Sequence, residues 1–526
     1  MDNKNKILIS DPIAEQGIEK LKEYFHVDYK PGVTKDELLK IIKDYSGLVV
    51  RSETKVTKDI IEEGKNLKVI GRAGVGVDNI DVEYATRKGI LVINAPEGNT
   101  ISAAEHTFAL ILSLSRKIPQ AFYSLKSGKW DRKSFIGYEL YGKILGLVGL
   151  GRIGSEVAKR ARAFKMKVVA YDPYISMERA KELEVELLNN LDELLRISDY
   201  VSLHLPLNSE TENLIGEREL SLMKPSAYLI NCARGKLVDE KALYNALKER
   251  KIAGCALDVF SKEPIEPDNP LLTLDNVVLT PHLGASTQEA QEKVALIVAE
   301  EIIRYFKGEP VLNAVNLPII ISDEISPYVI LGEKLGKFLA QLTDSYPEEL
   351  EIQICGELSQ KLETSLASAV VKGFLEPILM EPINFINALP LAKERKLRIK
   401  ESRTQDTEIY RSLIKLQLKT EKGLLELTGT VNRGQERIVK IQDYYIDLNL
   451  APYLLIAFHT DRPGIIGKVG TILGKENINI AAMQVGRKEL GKEAVMVLIV
   501  DNPVPSSVLN ELKSVENIHR VYYVCL

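Results

Sequence analysis

Cysteine is nearly absent from this chain of 526 residues: Cys232, Cys255, Cys355 and Cys525 stand far apart, with no CxxC spacing. That argues against a disulfide framework and a clustered-thiolate zinc site. No other metal signature appears, and a reducing cytoplasm suits the chain. Long apolar runs are missing as well. No stretch approaches the ~18 residues that span a bilayer. The N-terminus, Met1-Asp2-Asn3-Lys4-Asn5-Lys6 ahead of Ile7-Leu8-Ile9, is too charged and its apolar run too short for a signal peptide. Nor is charge of one sign in excess: 69 Lys and Arg against 73 Asp and Glu leave a net charge of -4. No basic face for nucleic acid or an anionic membrane is expected from that balance.

The remainder is ordinary globular material, 45% hydrophobic and 27% charged, long enough for three or four domains at roughly 150 residues each. Short apolar runs alternate with amphipathic stretches, the pattern of βαβ units and a parallel sheet. Strand-like runs fall at Lys6–Ser10, Gly47–Val50, Leu67–Ile70 and Ile90–Asn94. Ile101–Lys117 is mostly apolar and predicts a buried helix linking two lobes. A second series follows at Ile144–Gly149, Lys167–Asp172, Tyr200–Leu205, Tyr228–Cys232, Gly254–Val259 and Val277–Thr280, and the helix Gln288–Lys307 is expected to return to the first lobe. After Gly308-Glu309-Pro310 and Asn316-Leu317-Pro318 the character changes to mixed helices and alternating strands such as Glu348–Cys355. The tail reads β-α-β-β-α-β, with strands Tyr453–Phe458, Ile478–Val485, Ala494–Val500 and Val521–Cys525 and helices Gly464–Lys475 and Val504–Val515, the order of a ferredoxin-like sandwich. The expected architecture is α/β. Two doubly wound lobes, Rossmann-like or flavodoxin-like, comprise 1–98 with 289–318 for substrate and 99–288 for a dinucleotide. An α+β intervening domain (319–450) and a βαββαβ tail (451–526) follow them.

Gly149-Leu150-Gly151-Arg152-Ile153-Gly154 is a GxGxxG. Alone that pattern is weak. Here it follows an apolar strand and opens a helix with Ile153, Val157, Ala158, Ala161 and Phe164 on one face, and the next strand ends at Asp172. Glycines let backbone N–H groups approach a pyrophosphate at a helix N-terminus, and the acid accepts from ribose hydroxyls. Asp172 would repel a 2′-phosphate and Pro173 rather than an arginine follows it, so NAD is expected over NADP. A second glycine-rich segment, Gly71–Gly76, has no helix-forming run after it and reads as a tight loop at the lobe interface.

Three polar residues fall just beyond strand ends of the second lobe: Arg234, Glu263 and His282. Ligands bind at such carboxyl ends in a doubly wound sheet. Oxidation of a 2-hydroxy acid needs a base for the hydroxyl proton, a cation for the carboxylate and a hydride acceptor. His282 is the natural base, Glu263 can orient its ring, and Arg234 can fork onto the carboxylate. Singly, each has a blander reading as a packed histidine, an ion-paired glutamate or a solvated arginine. Their joint placement after one GxGxxG favours chemistry. His26 and His519 read as surface or edge positions, His106 as packed in its helix, and His204 as structural near the cofactor.

With these residues, Leu147–Gly154, Asn231–Gly235, Asp258–Pro264 and Pro281–Ala285, the chain resembles the D-isomer-specific 2-hydroxyacid dehydrogenases. The likeness extends to the long members that act on 3-phosphoglycerate, through Arg51–Val56, Gly71–Asn79, Gly128–Lys133, His282–Ala290, Asn384–Lys393 and Asp461–Gly474. It implies Arg234, Glu263 and His282 as the catalytic set. It further implies that Val75, Gly149, Gly151, Arg152, Ile153, Gly154, Asp172, Leu205, Cys232, Ala233, Arg234, Asp258, His282, Gly284 and Ala285 line an NAD site. Arg234 and His282 are expected to touch the substrate, and phosphate ligands beyond Arg234 are sought in Arg51, Arg72 and Arg132, with Lys133 as a spare, the Arg132 position reaching the site from a neighbouring subunit. The tail resembles an ACT domain, which binds amino acids between paired copies. Serine would be held at His459, Asp461 and Asn479, with Asp461 departing from the asparagine of serine-inhibited relatives. The middle segment carries a basic cluster, Lys393, Arg395, Lys396 and Arg398, which reads as a control site for anions or as a solvated charge run. Dimers through Ile101–Lys117, often joined into tetramers, are implied. Two alternatives stand beside 3-phosphoglycerate oxidation for L-serine biosynthesis. One is a reductase of glyoxylate, hydroxypyruvate or another unphosphorylated 2-oxo acid, and the other is a non-catalytic NAD sensor.

Overall fold

The computed structural model describes residues 5–319, 322–343, 345–362, 364–407 and 409–526, so Met1–Lys4 of the charged N-terminus lie outside it. The first lobe is a parallel sheet of β1 (Lys6–Ile9), β2 (His26–Tyr29), β3 (Gly47–Val50), β4 (Val69–Arg72) and β5 (Leu91–Ile93), in the order β2-β1-β3-β4-β5. β3 is buried throughout, as expected of a strand covered on both faces. The apolar pattern misses β2, an edge strand whose His-Val-Asp-Tyr is nowhere fully buried. It also misplaces β4. Leu67 packs in a turn, its N–H donating to Gly64 O at 2.8 Å, and strand pairing continues through Gly71 and Arg72. Arg72 therefore stands at the carboxyl end of β4.

The second lobe is a seven-stranded parallel sheet: β6 (Ile144–Val148), β7 (Lys167–Tyr171), β8 (Glu186–Leu187), β9 (Tyr200–Leu203), β10 (Tyr228–Asn231), β11 (Gly254–Leu257) and β12 (Val277–Leu279). The order β12-β11-β10-β9-β6-β7-β8 reverses between β6 and β9, which opens a crevice at their carboxyl ends. β8, two residues long and unforeseen, extends one edge. An interlobe helix, Thr100–Arg116, buries Ala104, Phe108 and Ile111 in the second lobe's core. In the Arg152–Ala163 helix, Val157, Ala158 and Ala161 are buried. Phe164 instead lies just beyond its end, 45% exposed, and packs on Phe108 with ring centroids 5.2 Å apart. The return helix Gln288–Lys307 packs back on the first lobe, beside the Glu15–Lys22 helix and β4, and Gly308 ends it in the left-handed region, φ 73°.

The third sheet holds β13 (Pro347–Gly356), β14 (Arg398–Thr404), β15 (Ser412–Thr420), β16 (Gly423–Asn432), β17 (Gln435–Ile441) and β18 (Tyr444–Asn449), ordered β14-β13-β15-β16-β17-β18. The fourth holds β19 (Tyr453–Thr460), β20 (Ile480–Arg487), β21 (Glu493–Val500) and β22 (Ile518–Cys525), ordered β20-β21-β19-β22. The helices Ile465–Lys475 and Ser506–Lys513 cover one face. The other face, through Leu454, Ile456, Val495 and Val497, shares one core with the six-stranded sheet. This half of the chain grips the first lobe. Ile386 is 5% exposed inside that lobe's core, Asn384 Nδ2 donates to Gly89 O at 2.7 Å, and Arg87 pairs with Glu394 at 2.6 Å. No described helix is long and apolar enough to cross a membrane.

Candidate active site

β10 stops at Asn231, whose buried side chain shapes the turn that follows. Its Nδ2 donates to Arg234 O at 2.8 Å, and its Oδ1 accepts from Ala233 N at 3.0 Å. Arg234 then crosses to the first lobe, Nε donating to Asp78 Oδ2 at 2.8 Å. A Cβ on Gly76 would lie 1.8 Å from Arg234 Nη2, so only glycine permits this approach. Beyond β12, His282 Nδ1 lies 2.7 Å from Glu263 Oε2, and Glu263 Oε1 accepts from Phe260 N at 3.0 Å. Burial works to raise the Glu263 carboxyl's pKa. The hydrogen bonds from His282 and from Phe260 N outweigh it and hold the carboxyl below its ordinary range. Glu263 is thus an ionised anchor for one ring nitrogen of His282, leaving Nε2 to face the cleft.

Arg72, Arg234, Glu263 and His282 share the wall of one pocket of about 290 Å³. Arg72 carries a strained charge: burial, then the Arg234 and Arg51 guanidiniums, pull its pKa down to about 10. Its Nε is buried with no partner among the described residues. Arg51 stands on a loop pinned by buried Asp11, which accepts from Arg51 N at 2.6 Å, Glu53 N at 3.2 Å and Thr54 N at 3.1 Å. Three converging cations with an orphaned donor make a site for an anion. Arg132 and Lys133 are exposed and belong to no wall of this pocket. Within one chain they are not substrate ligands.

An adjoining cleft of about 450 Å³ is lined by Val75, Gly151, Arg152, Ile153, Leu205, Cys232, Ala233, Arg234, His282, Gly284 and Ala285, all expected, by His204, read as structural near the cofactor, and by Asp78, Asn99 and Leu207, which were not expected. Burial drives the Cys232 thiol up to about 12, which makes it wall rather than nucleophile, and brings the His204 imidazole down to about 4. Four expected cofactor residues are not on this wall. Gly149 and Gly154 are buried in the turn itself. Asp172, at the end of β7, accepts from Leu150 N at 2.8 Å and from Tyr174 N at 2.9 Å. Asp258 is fully buried, and its carboxylate holds the backbone of Leu283 and Gly284 at 2.7 and 2.8 Å, so it cannot touch a ligand in the cleft.

Dinucleotide fit follows from the glycines. Gly151 caps the Arg152–Ala163 helix with no side-chain partner for its first N–H groups, and a Cβ there meets nothing within 4 Å. That is an open cradle at a positive helix end. Gly151→Ala should therefore leave unliganded stability within about 0.5 kcal/mol while abolishing most of the thermal stabilisation by NAD. Gly149 has φ 96° and would set a Cβ 2.5 Å from His204 O; Gly149→Ala should cost about 1–3 kcal/mol with no ligand present. Thermal melts with and without NAD separate the two.

In the tail, His459 is 2% exposed with Nε2 unpartnered among the described residues. Asp461 accepts from Arg487 at 3.2 Å, and Asn479 donates to Asp501 at 2.7 Å. His459 pairs with Ala494 at one end of β21, and Ile480 pairs with Val500 at the other. At about 3.3 Å per residue the ends lie roughly 20 Å apart, so one copy does not bring Asn479 to His459 and Asp461. Of the basic cluster, Arg395 pairs with Glu381 at 3.0 Å and Arg398 with Glu349 at 3.4 Å, while Lys393 and Lys396 are exposed; it is a solvated, half-neutralised run.

The model of the D-isomer specific 2-hydroxyacid dehydrogenase NAD binding domain matches residues 108–284, the D-3-phosphoglycerate dehydrogenase intervening domain 324–442 and the ACT domain 453–517. A D-3-phosphoglycerate dehydrogenase of Methanocaldococcus jannaschii is 48% identical over 524 residues, covering 99% of this chain and all of its own. One from Bacillus subtilis is 43% identical over 529 residues, with 99% of each chain covered. The crystal structure of a D-lactate dehydrogenase from Aquifex aeolicus, complexed with NAD and lactic acid, superposes with a TM-score of 0.53 at 34% identity, covering 58% of this chain and 96% of that one.

Proposed function

The chain belongs to the D-3-phosphoglycerate dehydrogenases of the D-isomer-specific 2-hydroxyacid dehydrogenase family, and from that membership we propose that it oxidises 3-phosphoglycerate to 3-phosphohydroxypyruvate, opening the phosphorylated route to L-serine. Bound NAD would supply the hydride acceptor for C2. Gly151, Arg152 and Ile153 would hold its pyrophosphate, and Asp172, which accepts from Leu150 N and Tyr174 N, would take the ribose hydroxyls. His282 Nε2 removes the C2 hydroxyl proton, and Glu263 steadies the resulting imidazolium through Nδ1. Arg234 grips the carboxylate, and Arg72, with Arg51 behind it, takes the phosphate. The domain assignments carry these roles: 1–98 with 289–318 for substrate, 99–288 for NAD, and 319–450 and 451–526 for regulation.

The observation that carries this is the convergence of Arg72 and Arg234 opposite the His282–Glu263 pair, with Arg72 Nε unpartnered. Purified protein given 3-phosphoglycerate and NAD at alkaline pH should produce NADH. Turnover of unphosphorylated 2-oxo acids alone would favour a glyoxylate or hydroxypyruvate reductase, and no turnover of either would favour a sensor.

Assembly belongs to the same proposal. Phe122, Tyr123, Trp130, Ile136 and Tyr138 are all more than half exposed on the Ile118–Lys126 helix and the loop after it, an apolar surface suited to a second copy. The apolar face of the interlobe helix is spent on its own lobe, through Ala104, Phe108 and Ile111, so we place the contact towards residues 118–141. Arg132 and Lys133 sit on that loop, and in a dimer or tetramer they reach the partner's phosphate site. Serine is the proposed effector, held between paired tails where Asn479 of one copy meets His459 and Asp461 of another. The buried, unpartnered His459 Nε2 supports it. Free thiols at all four cysteines suit the cytoplasm.

A further inference from the structure

Catalysis as proposed leaves His106 without a task, yet its place in the fold is specific. It lies on the interlobe helix, and its Nε2 is 3.1 Å from Asp258 Oδ1 and 3.1 Å from Thr280 Oγ1. The Thr280 hydroxyl donates to Asp258 Oδ1 at 2.6 Å, so its hydrogen is committed and only its lone pairs face His106. Asp258 accepts two backbone N–H groups besides. Every neighbour of that carboxylate donates to it, and Nε2 must carry the proton to join them. Burial works to raise the Asp258 carboxyl's pKa; the hydrogen bonds from His106, Thr280 and Leu283 N hold it below its ordinary range.

The turn that bears His282 depends on this carboxylate. His282 sits in the left-handed region, φ 56°, a conformation that costs a non-glycine residue about 1–3 kcal/mol. Its N–H donates to Asp258 O at 2.8 Å, and the next two N–H groups go to the Asp258 carboxylate. One turn earlier on the same helix, Ser102 Oγ lies 2.7 Å from Thr287 Oγ1, the cap of the return helix. Both crossings between the lobes are therefore tied together, and the catalytic turn hangs from the same tie.

We propose that His106 is a positioning residue for the reaction: it fastens the Asp258-bound turn of His282 to the interlobe helix, so that the imidazole keeps one position as the lobes close. It acts through Asp258 and touches neither substrate nor cofactor. This rests on His282 being the base, as proposed above.

His106→Leu removes the donor and His106→Gln restores an N–H at similar reach. A misplacement of about 1 Å can cost roughly 100-fold, so His106→Leu should lower kcat by about 10- to 100-fold. KM and NAD affinity should stay within about threefold, and the primary deuterium isotope effect with 2-deuterated substrate should rise as hydride transfer becomes limiting. His106→Gln should recover most of kcat. Thr280→Val, which keeps the shape and loses the hydroxyl, should show the same kcat-selective loss at smaller size and serves if leucine does not fold. Wild-type turnover in His106→Leu, equal defects in the leucine and glutamine variants, or a parallel loss of NAD affinity would each overturn the proposal. A wild-type protein inactive on every 2-hydroxy and 2-oxo acid would instead defeat the assigned function, and this proposal with it.

Discussion

Replacing His282 with alanine should lower kcat by about 100- to 10,000-fold, the span of general-base catalysis, and leave NAD affinity within a factor of about three. The ring acts at two atoms. Nδ1 is spent on Glu263 at 2.7 Å, and Nε2 is the only ring nitrogen left to exchange a proton with substrate. The dinucleotide cleft is built mainly by other residues, from Val75 and Gly151 to Leu205 and Ala285, so removing the imidazole changes the transition state more than cofactor binding. His282→Asn is the control. Asparagine tolerates the left-handed region well, so the turn at φ 56° survives while the base is gone. Stopped-flow NADH formation together with NAD titration by fluorescence decides it. A variant that turns over like the wild type would remove His282 from the mechanism. Because the Glu263 carboxyl is held below its ordinary range, it stays ionised wherever His282 can work, and the acid limb of the rate profile should not report it.

Arg72→Gln should raise KM for 3-phosphoglycerate by roughly 10- to 100-fold and KM for hydroxypyruvate by no more than about threefold. A hydrogen bond to a charged group is worth about 1.5–3 kcal/mol, and each 1.4 kcal/mol is about tenfold. The effect concentrates on the phosphorylated substrate because Arg72 has a buried Nε with no partner among the described residues and lies beside two further guanidiniums. Arg51→Gln should act in the same direction and more weakly, since Arg51 acts on the pocket by charge and does not line it. Equal losses for both substrates in Arg72→Gln would place the phosphate elsewhere.

The parts of this molecule legible in the sequence are those set by short spacing. Gly149–Gly154 lies between an apolar strand and a helix, so its turn follows from local chain geometry. Arg234, Glu263 and His282 each follow a strand end within a few residues, and a parallel sheet delivers such positions to one edge. The four-part architecture was likewise readable from alternation and from the change after Pro318. What escaped depends on contacts made across the fold. His106 meets Asp258 from 152 positions away and Thr280 from 174, so nothing local distinguishes it from a packed histidine. Asp258 was expected to touch the cofactor, and its burial gives it a different task. Asp78 pairs with Arg234 across the lobe boundary, where the one available signal was an acid beside the glycine-rich loop. β2 escaped because an edge strand needs no apolar alternation. Arg132, Lys133 and Asn479 were named from the sequence, but one copy of the chain does not assemble their sites, since their proposed partners lie on another copy.

The clasp of Asn384 and Ile386 on the first lobe has a mechanical consequence. Ile386 is sunk in that lobe's core and Asn384 is bonded to Gly89, while the tail shares its core with the six-stranded sheet. The C-terminal half and the lobe bearing Arg51 and Arg72 are thus one piece of mass, joined to the NAD lobe at two crossings. Any change of angle between the lobes would carry the whole C-terminal half along with Arg51 and Arg72. Under the proposal that paired tails hold an effector, that effector would brake such a movement at a distance from the chemistry, without touching it.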